Sequence, residues 1–345
     1  MPRRRRRAEL SLSGADSIAI VGCGAIGSLI AARLAAAGRP VAALARGAHL
    51  TAMRAQGLRL TADDGTDTLH RLAVTDRMDR LPDAGVILIT LKAHHLAPFA
   101  LELAERAARG AALVFAQNGI PWWYPRGIPA LAGLPPGAVD PEGALSGAME
   151  DLPVMGGVLY MIASLRAPGW VHEVPMQGKR LLVGAADHNH NQSRAAAVAA
   201  ALDVPGNPTK VDTEIRRTVW AKLLGNIALN PLCMLTGVPV DRLMADPEAA
   251  RMVEALMHEA ADIAGAAGIP GLQDGIPPRL AAFRERPGVK PSMLQDAELG
   301  RAMEIGPILG APLALAQRLG VPAPLLAQIH ALAALRAQTL GPKEP

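Results

Sequence analysis

Lys222, Asn226 and Asn230 stand four residues apart in the stretch Trp220-Ala-Lys222-Leu-Leu-Gly-Asn226-Ile-Ala-Leu-Asn230-Pro231. On a helix the three share one polar stripe while Leu223, Leu224 and Ile227 face elsewhere. A lysine flanked by amides suits the reduction of a carbonyl. As hydride reaches the carbon, negative charge grows on the oxygen, and an ammonium can stabilise and protonate it. Taken alone the stripe also reads as an ordinary solvated face, so its meaning depends on whether the chain carries a hydride source.

Such a source is written near the N-terminus. Ile18, Ala19, Ile20 and Val21 form a short apolar run suited to a buried parallel strand. The turn Gly22-Cys23-Gly24-Ala25-Ile26-Gly27 follows, then an Ala-rich helix that Gly38 is placed to end, then a second strand over 41–44. Glycine supplies 34 of 345 residues, and three at fixed spacing would arise by chance roughly 0.3 times. The strand before and the helix after therefore carry the reading. Gly22 permits a tight turn, Gly24 lets the backbone approach a pyrophosphate, and Gly27 lets helix and strand lie close. The free N–H groups at the helix start favour an anion.

In the NAD form of this fingerprint an acid about 20 residues on takes the ribose hydroxyls. Here Ala45-Arg46-Gly47 ends the second strand. A guanidinium suits the 2′-phosphate of NADP, being planar, always charged and able to bind bidentately. The expected cofactor is NADP(H), preferred about 10-fold or more over NAD(H). The alternative for Arg46 is an exposed arginine at a strand end.

The remaining elements must bring these two halves together. Strands are expected at 58–61 and 66–74, joined through Asp63-Asp64-Gly65, and again at 86–90 and 112–115. Lys92 and Asn118 then fall at carboxyl strand ends, where ligands of open α/β sheets bind. Residues 121–153, beginning Trp122-Trp123-Tyr124 and rich in Pro and Gly, read as a long insertion anchored at its start, with the character of a lid. Strands at 158–164, 169–174 and 180–184 are expected to extend the sheet, followed by a helix over 193–202 and a strand at 209–211. Long helices come next: 214–229, 247–267, 278–285, 297–319 and 324–340. The expected division is a disordered basic arm over 1–15, a dinucleotide-binding domain over 16–210 and a helical substrate domain over 211–345.

Composition bounds the alternatives. Half the residues are hydrophobic, which excludes general disorder. The net charge of +4 becomes −1 once the five arginines Arg3 to Arg7 are set aside. An arginine arm could touch nucleic acid or anionic lipid, yet aromatics are 3% and no basic face recurs, so neither partner is expected. Glu9, Ser11, Ser13 and Asp16 interrupt any secretory apolar region, and no apolar stretch reaches spanning length. Cys23 and Cys233 make no disulfide framework and fit a reducing cytoplasm. His188 and His190 lack further ligands at zinc spacing, so no metal is expected and a polar surface loop is the reading. The apolar helices could fill their own core or bury surface in a homodimer.

Taken together these residues resemble the ketopantoate reductases (2-dehydropantoate 2-reductases), over nearly the whole chain from residue 17 to about 340. The likeness rests on Gly22-Cys-Gly24-Ala-Ile-Gly27, Leu91-Lys92-Ala93, Gln117-Asn118-Gly119, the Lys222/Asn226/Asn230 helix, and Pro291-Ser292-Met293-Leu294-Gln295-Asp296 followed by Glu304. It implies an α/β fold: a Rossmann-type NADP-binding domain followed by an all-helical domain like the C-terminal one of 6-phosphogluconate dehydrogenase. It implies NADPH-dependent reduction of a small 2-oxo acid, 2-dehydropantoate to (R)-pantoate, on the way to pantothenate and coenzyme A. Lys222 would then be the general acid and Glu304 a catalytic partner orienting lysine or substrate. Asn118, Asn226 and Asn230 would hydrogen-bond substrate or nicotinamide, Ser292 would meet the substrate carboxylate, and Lys92 would lie near cofactor and substrate. From the residues alone, Ser292 reads as a helix or turn cap and Glu304 as a surface carboxylate. The insertion beside Asn118 leaves open another bulky 2-oxo acid or an imine as substrate, and a non-catalytic NADP sensor is the third reading.

Overall fold

The computed structural model describes residues 17–131, 137, 139–186, 192–285 and 287–340. The arginine arm and the His188/His190 loop lie outside them. The opening unit forms as its residue types dictate. Strand β1 (Ile18–Val21) is buried on both faces, which is why its apolar run does not alternate. Helix α1 (Ala25–Ala36) starts straight from the glycine turn and gives way to Gly38 at φ +75°, a left-handed position that glycine takes without strain. Strand β2 (Val41–Leu44) returns parallel to β1, and helix α2 (Gly47–Gln56) follows.

The next segment departs from expectation. Strands β3 (Leu58–Thr61) and β4 (Asp67–His70) do form a hairpin through Asp63-Asp64-Gly65, where the Thr66 N–H donates to Asp64 Oδ1 at 2.8 Å. The single strand expected over 66–74 is instead two. The chain leaves the hairpin after His70 and re-enters the main sheet as β5 (Ala73–Thr75) beside β2. Leu69 is exposed and Val74 packs inward, so the two halves of the segment serve two surfaces.

Strand β6 (Val86–Ile89), helix α3 (Ala100–Ala108) and strand β7 (Ala112–Phe115) complete the parallel core. After a short helix α4 (Ala144–Ala148) come β8 (Val154–Tyr160), β9 (Ile162–Ala167), β10 (Trp170–Val174), β11 (Arg180–Ala185), helix α5 (Gln192–Leu202) and β12 (Thr209–Val211). The main sheet runs β12-β11-β8-β7-β6-β1-β2-β5. Only β8 and β11 of the three expected strands extend it. Strands β9 and β10 turn away to pair with the hairpin as a second sheet, β4-β3-β10-β9, which covers α1. The chain winds outward from β1 through β2 to β5, then jumps back to β6 on the other side. This reversal opens a crevice at the carboxyl ends of β1 and β6.

The helical half begins with α6 (Ile215–Thr236), longer than expected because it continues through Pro231 and stops at Gly237, φ +74°. It packs against α8 (Pro247–Ala266), α10 (Ser292–Glu298) and α12 (Pro324–Leu340), with α7 (Val240–Ala245) and α9 (Ile276–Arg284) around it. The single helix expected over 297–319 is broken. Residues 299–304 are irregular, Gly306–Gly310 form a π-helical segment, and α11 (Ala311–Leu319) follows. No helix among the described residues is long and apolar enough to cross a membrane.

The start of the insertion is anchored, as its tryptophans lead one to expect. Trp122, Trp123 and Tyr124 are buried and join the core shared by the sheet and α6. Trp122 meets Phe115 edge-on at 5.2 Å, and the Trp220 indole N–H donates to the Tyr124 hydroxyl at 2.7 Å. Farther along, the buried Asp140 carboxylate accepts from the N–H groups of Leu145 and Ser146, starting α4. The two adjacent tryptophans thus mark an anchor between sheet and helices.

Candidate active site

The glycine turn is close-packed on one side and open on the other. Gly22 has φ +107°, and a Cβ there would lie 2.5 Å from the Leu91 nitrogen. A Cβ on Gly27 would lie 2.3 Å from the Gly22 carbonyl oxygen, so α1 and β1 could not approach as they do. At Gly24, by contrast, nothing lies within 4 Å of an added Cβ. The turn is therefore tight on its inner side and open on its outer side, where the unpaired N–H groups of Ala25, Ile26 and Gly27 begin α1. No side chain caps that end. These features fit a bound pyrophosphate.

Burial pushes the Cys23 thiol up to about 11, with the Ser28 hydroxyl pulling the other way. Cys23 therefore belongs to the turn through its backbone and its packing. Ser28 is tied to α2 through His49. The Gly169 N–H donates to His49 Nδ1 at 2.9 Å, so Nε2 carries the proton shared with the Ser28 hydroxyl at 3.0 Å. Burial holds His49 below the usual imidazole range, in keeping with a neutral ring. Arg46 is exposed at the carboxyl end of β2 as the residue before α2.

Three groups from three distant segments meet at the seam between sheet and helices. Lys222 Nζ donates to Asn118 Oδ1 at 2.8 Å, and Asn118 Nδ2 donates to Glu304 Oε2 at 3.2 Å. The amide of Asn118 can satisfy both neighbours in only one orientation, oxygen to the lysine and nitrogen to the carboxylate. Burial lowers Lys222 from 10.5 to about 8, against the charge of Glu304. Burial likewise raises Glu304, with the Asn118 hydrogen bond and the charge of Lys92 opposing it. Glu304 is 6% exposed, not a surface carboxylate.

Each member is positioned by a local device. Gln117 Nε2 donates to the carbonyls of Ile89 at 2.9 Å and Leu91 at 3.1 Å, locking the strand ends of β6 and β7 together. Gly119, at φ +79°, passes so close to the π-helical segment that a Cβ would lie 2.2 Å from the Pro307 carbonyl oxygen. The next N–H, of Ile120, donates to that oxygen at 2.8 Å. Glu304 sits two residues before this segment, so the contact that seats Asn118 also seats Glu304. The π-helical winding at that point matches the tendency of such segments to occur at functional sites. On α6, Arg216 Nε donates to the Tyr124 carbonyl at 3.2 Å, and Trp220 holds the Tyr124 hydroxyl. Helix α6 is thereby fixed in rotation, with Lys222 turned to Asn118.

Other expected site residues fall differently. Lys92 reaches across the seam to Asp296 Oδ2 at 2.6 Å and the Ala302 carbonyl at 2.8 Å, a bridge to α10 that sequence reasoning did not foresee. Asn226 is half-buried and Asn230 is 2% exposed. Neither side chain has a hydrogen-bond partner among the described residues. Ser292 is not the cap of α10. It is the first helical residue, behind Pro291, exposed and without a side-chain bond. It lies four residues before Asp296, hence on the same face of α10. Asp296 and the Tyr124–Trp220 clamp were missed because their partners stand 204 and 96 residues away, where no local pattern reaches.

Fold and site together define a two-domain protein of the dehydrogenase and reductase class, with a dinucleotide-binding sheet facing a helix that presents a lysine. Comparison with known proteins agrees. Residues 18–187 match the family model for ketopantoate reductase PanE/ApbA, and residues 214–337 match the model for its C-terminal domain. A 2-dehydropantoate 2-reductase of Mesorhizobium japonicum is 34% identical over 317 residues, covering 91% of this chain and 96% of that one. A crystal structure from Ralstonia solanacearum MolK2, classed as a ketopantoate reductase, is 34% identical with a TM-score of 0.84 over 94% of this chain and 99% of that one. The ternary structure of D-mandelate dehydrogenase with NADH and anilino(oxo)acetate shares the fold, at 22% identity and a TM-score of 0.78 over 94% of this chain and 99% of that one. The chain belongs to the ketopantoate reductase family.

Proposed function

We propose that this chain reduces 2-dehydropantoate to (R)-pantoate with NADPH, the step that leads to pantothenate and coenzyme A. The observation that carries the reading is the hydrogen-bonded series Lys222–Asn118–Glu304, in which half-buried lysine and asparagine meet a buried carboxylate. A bound reduced nicotinamide would supply hydride to C2 of the oxo acid. The protein's own part is the proton. Lys222, held near 8 by burial, is charged at neutral pH yet close enough to it to release its proton to the developing alkoxide. Asn118 keeps the ammonium aimed, and Glu304 keeps Asn118 aimed. Asn226 and Asn230, one and two turns along α6, are open to hydrogen-bond the substrate. Ser292 completes the set through the family resemblance.

Gly22, Gly24 and Gly27 support dinucleotide binding through the turn, and Arg46 supports the phosphorylated form. The turn sits at the crevice beside β1 and β6, where such ligands bind, and Arg46 at the carboxyl end of the neighbouring β2. The functional division we propose falls near residue 210, within the last strand of the sheet. The test is the initial rate of NADPH oxidation over a panel of 2-oxo acids. 2-Dehydropantoate should lead the panel, and its failure to do so would overturn the substrate. A bulkier, aromatic 2-oxo acid is the second reading, because the Tyr160 ring lies 6.0 Å from Lys222 Nζ; the same panel separates the two.

A further inference from the structure

Lys222, Asn118 and Glu304 all lie outside the second sheet, β4-β3-β10-β9, yet that sheet is bonded to the cofactor half of the site. Its contact is the turn between β9 and β10. Gly169 there has φ +74°, and a Cβ would lie 2.9 Å from the Ala52 Cβ on α2, so the turn rests directly on that helix. The Gly169 carbonyl accepts from the Arg59 N–H of β3 at 2.8 Å, and the Gly169 N–H donates to His49 Nδ1 at 2.9 Å.

His49 is the third residue of α2 and stands three places after Arg46. Because Nδ1 accepts, the ring proton sits on Nε2, which donates to the Ser28 hydroxyl at 3.0 Å. Ser28 is fully buried and donates in turn to the Cys23 carbonyl at 3.3 Å. One imidazole thus joins the small sheet, the first turn of α2 and the glycine turn. The same polarity rules out a serine–histidine nucleophile, since a ring that donates through Nε2 cannot take the serine proton there.

The two ends of this link are not equally well held. The glycine turn has supports of its own: the Thr90 hydroxyl donates to the Gly22 carbonyl at 2.7 Å, and the Cys23 N–H donates to the Leu44 carbonyl at 2.9 Å. The start of α2 has no side-chain cap, and its first helical bond, from the Leu50 N–H to the Arg46 carbonyl, is 3.3 Å long. Slack at His49 would therefore be taken up by α2 and by the exposed Arg46 at its head. A long side chain aims well only where its backbone is fixed beforehand, because ordering it on binding costs affinity.

We propose that His49 is a positioning residue of the NADP site: it fixes the start of α2, and Arg46 with it, relative to the glycine turn, with the second sheet as its brace. The inference rests on the reading that Arg46 takes the 2′-phosphate, and the experiment keeps the two apart. NADH lacks that phosphate, so a loss that acts through Arg46 falls on NADPH alone.

Dissociation constants of NADPH and NADH are measured by nicotinamide fluorescence for the full chain and for His49→Ala, His49→Gln, Ser28→Ala, Arg46→Ala and the Arg46→Ala/His49→Ala double variant. His49→Ala should weaken NADPH about fivefold or more and NADH less than about twofold. Ser28→Ala removes the other end of the bond and should reproduce this split, and it decides alone if His49→Ala does not fold. Glutamine carries an N–H donor towards Ser28, so His49→Gln should recover most of the loss. Added to Arg46→Ala, His49→Ala should cost less than about twofold more, because both act through one contact. Equal weakening of the two nucleotides, unchanged NADPH affinity, a glutamine variant no better than alanine, or full additivity in the double variant overturns the proposal. If the unaltered chain does not prefer NADPH, or Arg46→Ala leaves the preference intact, the reading of Arg46 falls and the proposal with it. If Arg46→Ala abolishes the preference while the His49 and Ser28 variants keep it, the proposal alone falls.

Discussion

Lys222→Met removes the ammonium while keeping most of the side chain's length, and it should make the protein more stable as it destroys activity. At about 1.4 kcal/mol for each tenfold change in proton affinity, the fall of Lys222 from 10.5 to about 8 sets roughly 3 kcal/mol against the charged form in the folded state. At pH 7 the lysine is charged in both states, so the whole penalty is present. Methionine escapes it but leaves Asn118 Oδ1 without its donor, which costs about 1 to 2 kcal/mol. A net gain of about 1 to 2 kcal/mol remains.

The sign with pH follows from the direction of the shift. Because the folded value lies below the unfolded one, the unfolded chain holds the extra proton between about pH 8 and 10.5, and stability rises with pH across that window. The advantage of Lys222→Met should therefore shrink by about 2 kcal/mol between pH 7 and pH 9.5. Urea unfolding of both proteins at the two pH values measures this, and NADPH oxidation with 2-dehydropantoate should show turnover lower by about 100-fold or more. A methionine variant less stable at pH 7, or an advantage that does not change with pH, would refute the desolvation argument. Turnover near the unaltered level would refute the acid role.

Other substitutions separate folding from binding. Gly119→Ala puts a Cβ 2.2 Å from the Pro307 carbonyl oxygen at φ +79°, so it should destabilise by on the order of 2 to 4 kcal/mol in thermal unfolding and displace Asn118. Gly24→Ala meets nothing within 4 Å; it should unfold like the unaltered chain yet raise the KM for NADPH about 10-fold or more, because its methyl occupies the pyrophosphate's place. Arg46→Ala should raise the KM for NADPH by about 10-fold or more and leave that for NADH within about twofold, and equal changes for both would remove Arg46 from the phosphate site.

Much of this was legible in the residues because it is local. A buried parallel strand, a glycine turn and an Ala-rich helix are consecutive, and so are the hairpin at Asp63-Asp64-Gly65 and the polar stripe of α6. Misreadings arose where neighbours in space override periodicity. The 66–74 stretch carries no Gly or Pro to divide it, yet its two halves serve different sheets. The 297–319 pattern is helical in type, yet it breaks ahead of Glu304, where the π-helical carbonyl of Pro307 receives the Ile120 N–H. The Trp-Trp-Tyr start of the insertion, by contrast, is the buried anchor that its composition pointed to.

The sequence by itself determined the dinucleotide turn, the class of chemistry implied by a lysine among amides, and the family, because each depends on residue types at short spacing. Only the tertiary structure decided which groups act together. It joined Lys222 to Asn118 across 104 residues and Asn118 to Glu304 across 186, and it took Lys92 to Asp296 instead of leaving it free in the crevice. Proton affinity belongs to the same category. The lysine's fall to about 8 comes from the water that the packed sheet, insertion and helices exclude, and no spacing along a chain records how much water a side chain will lose.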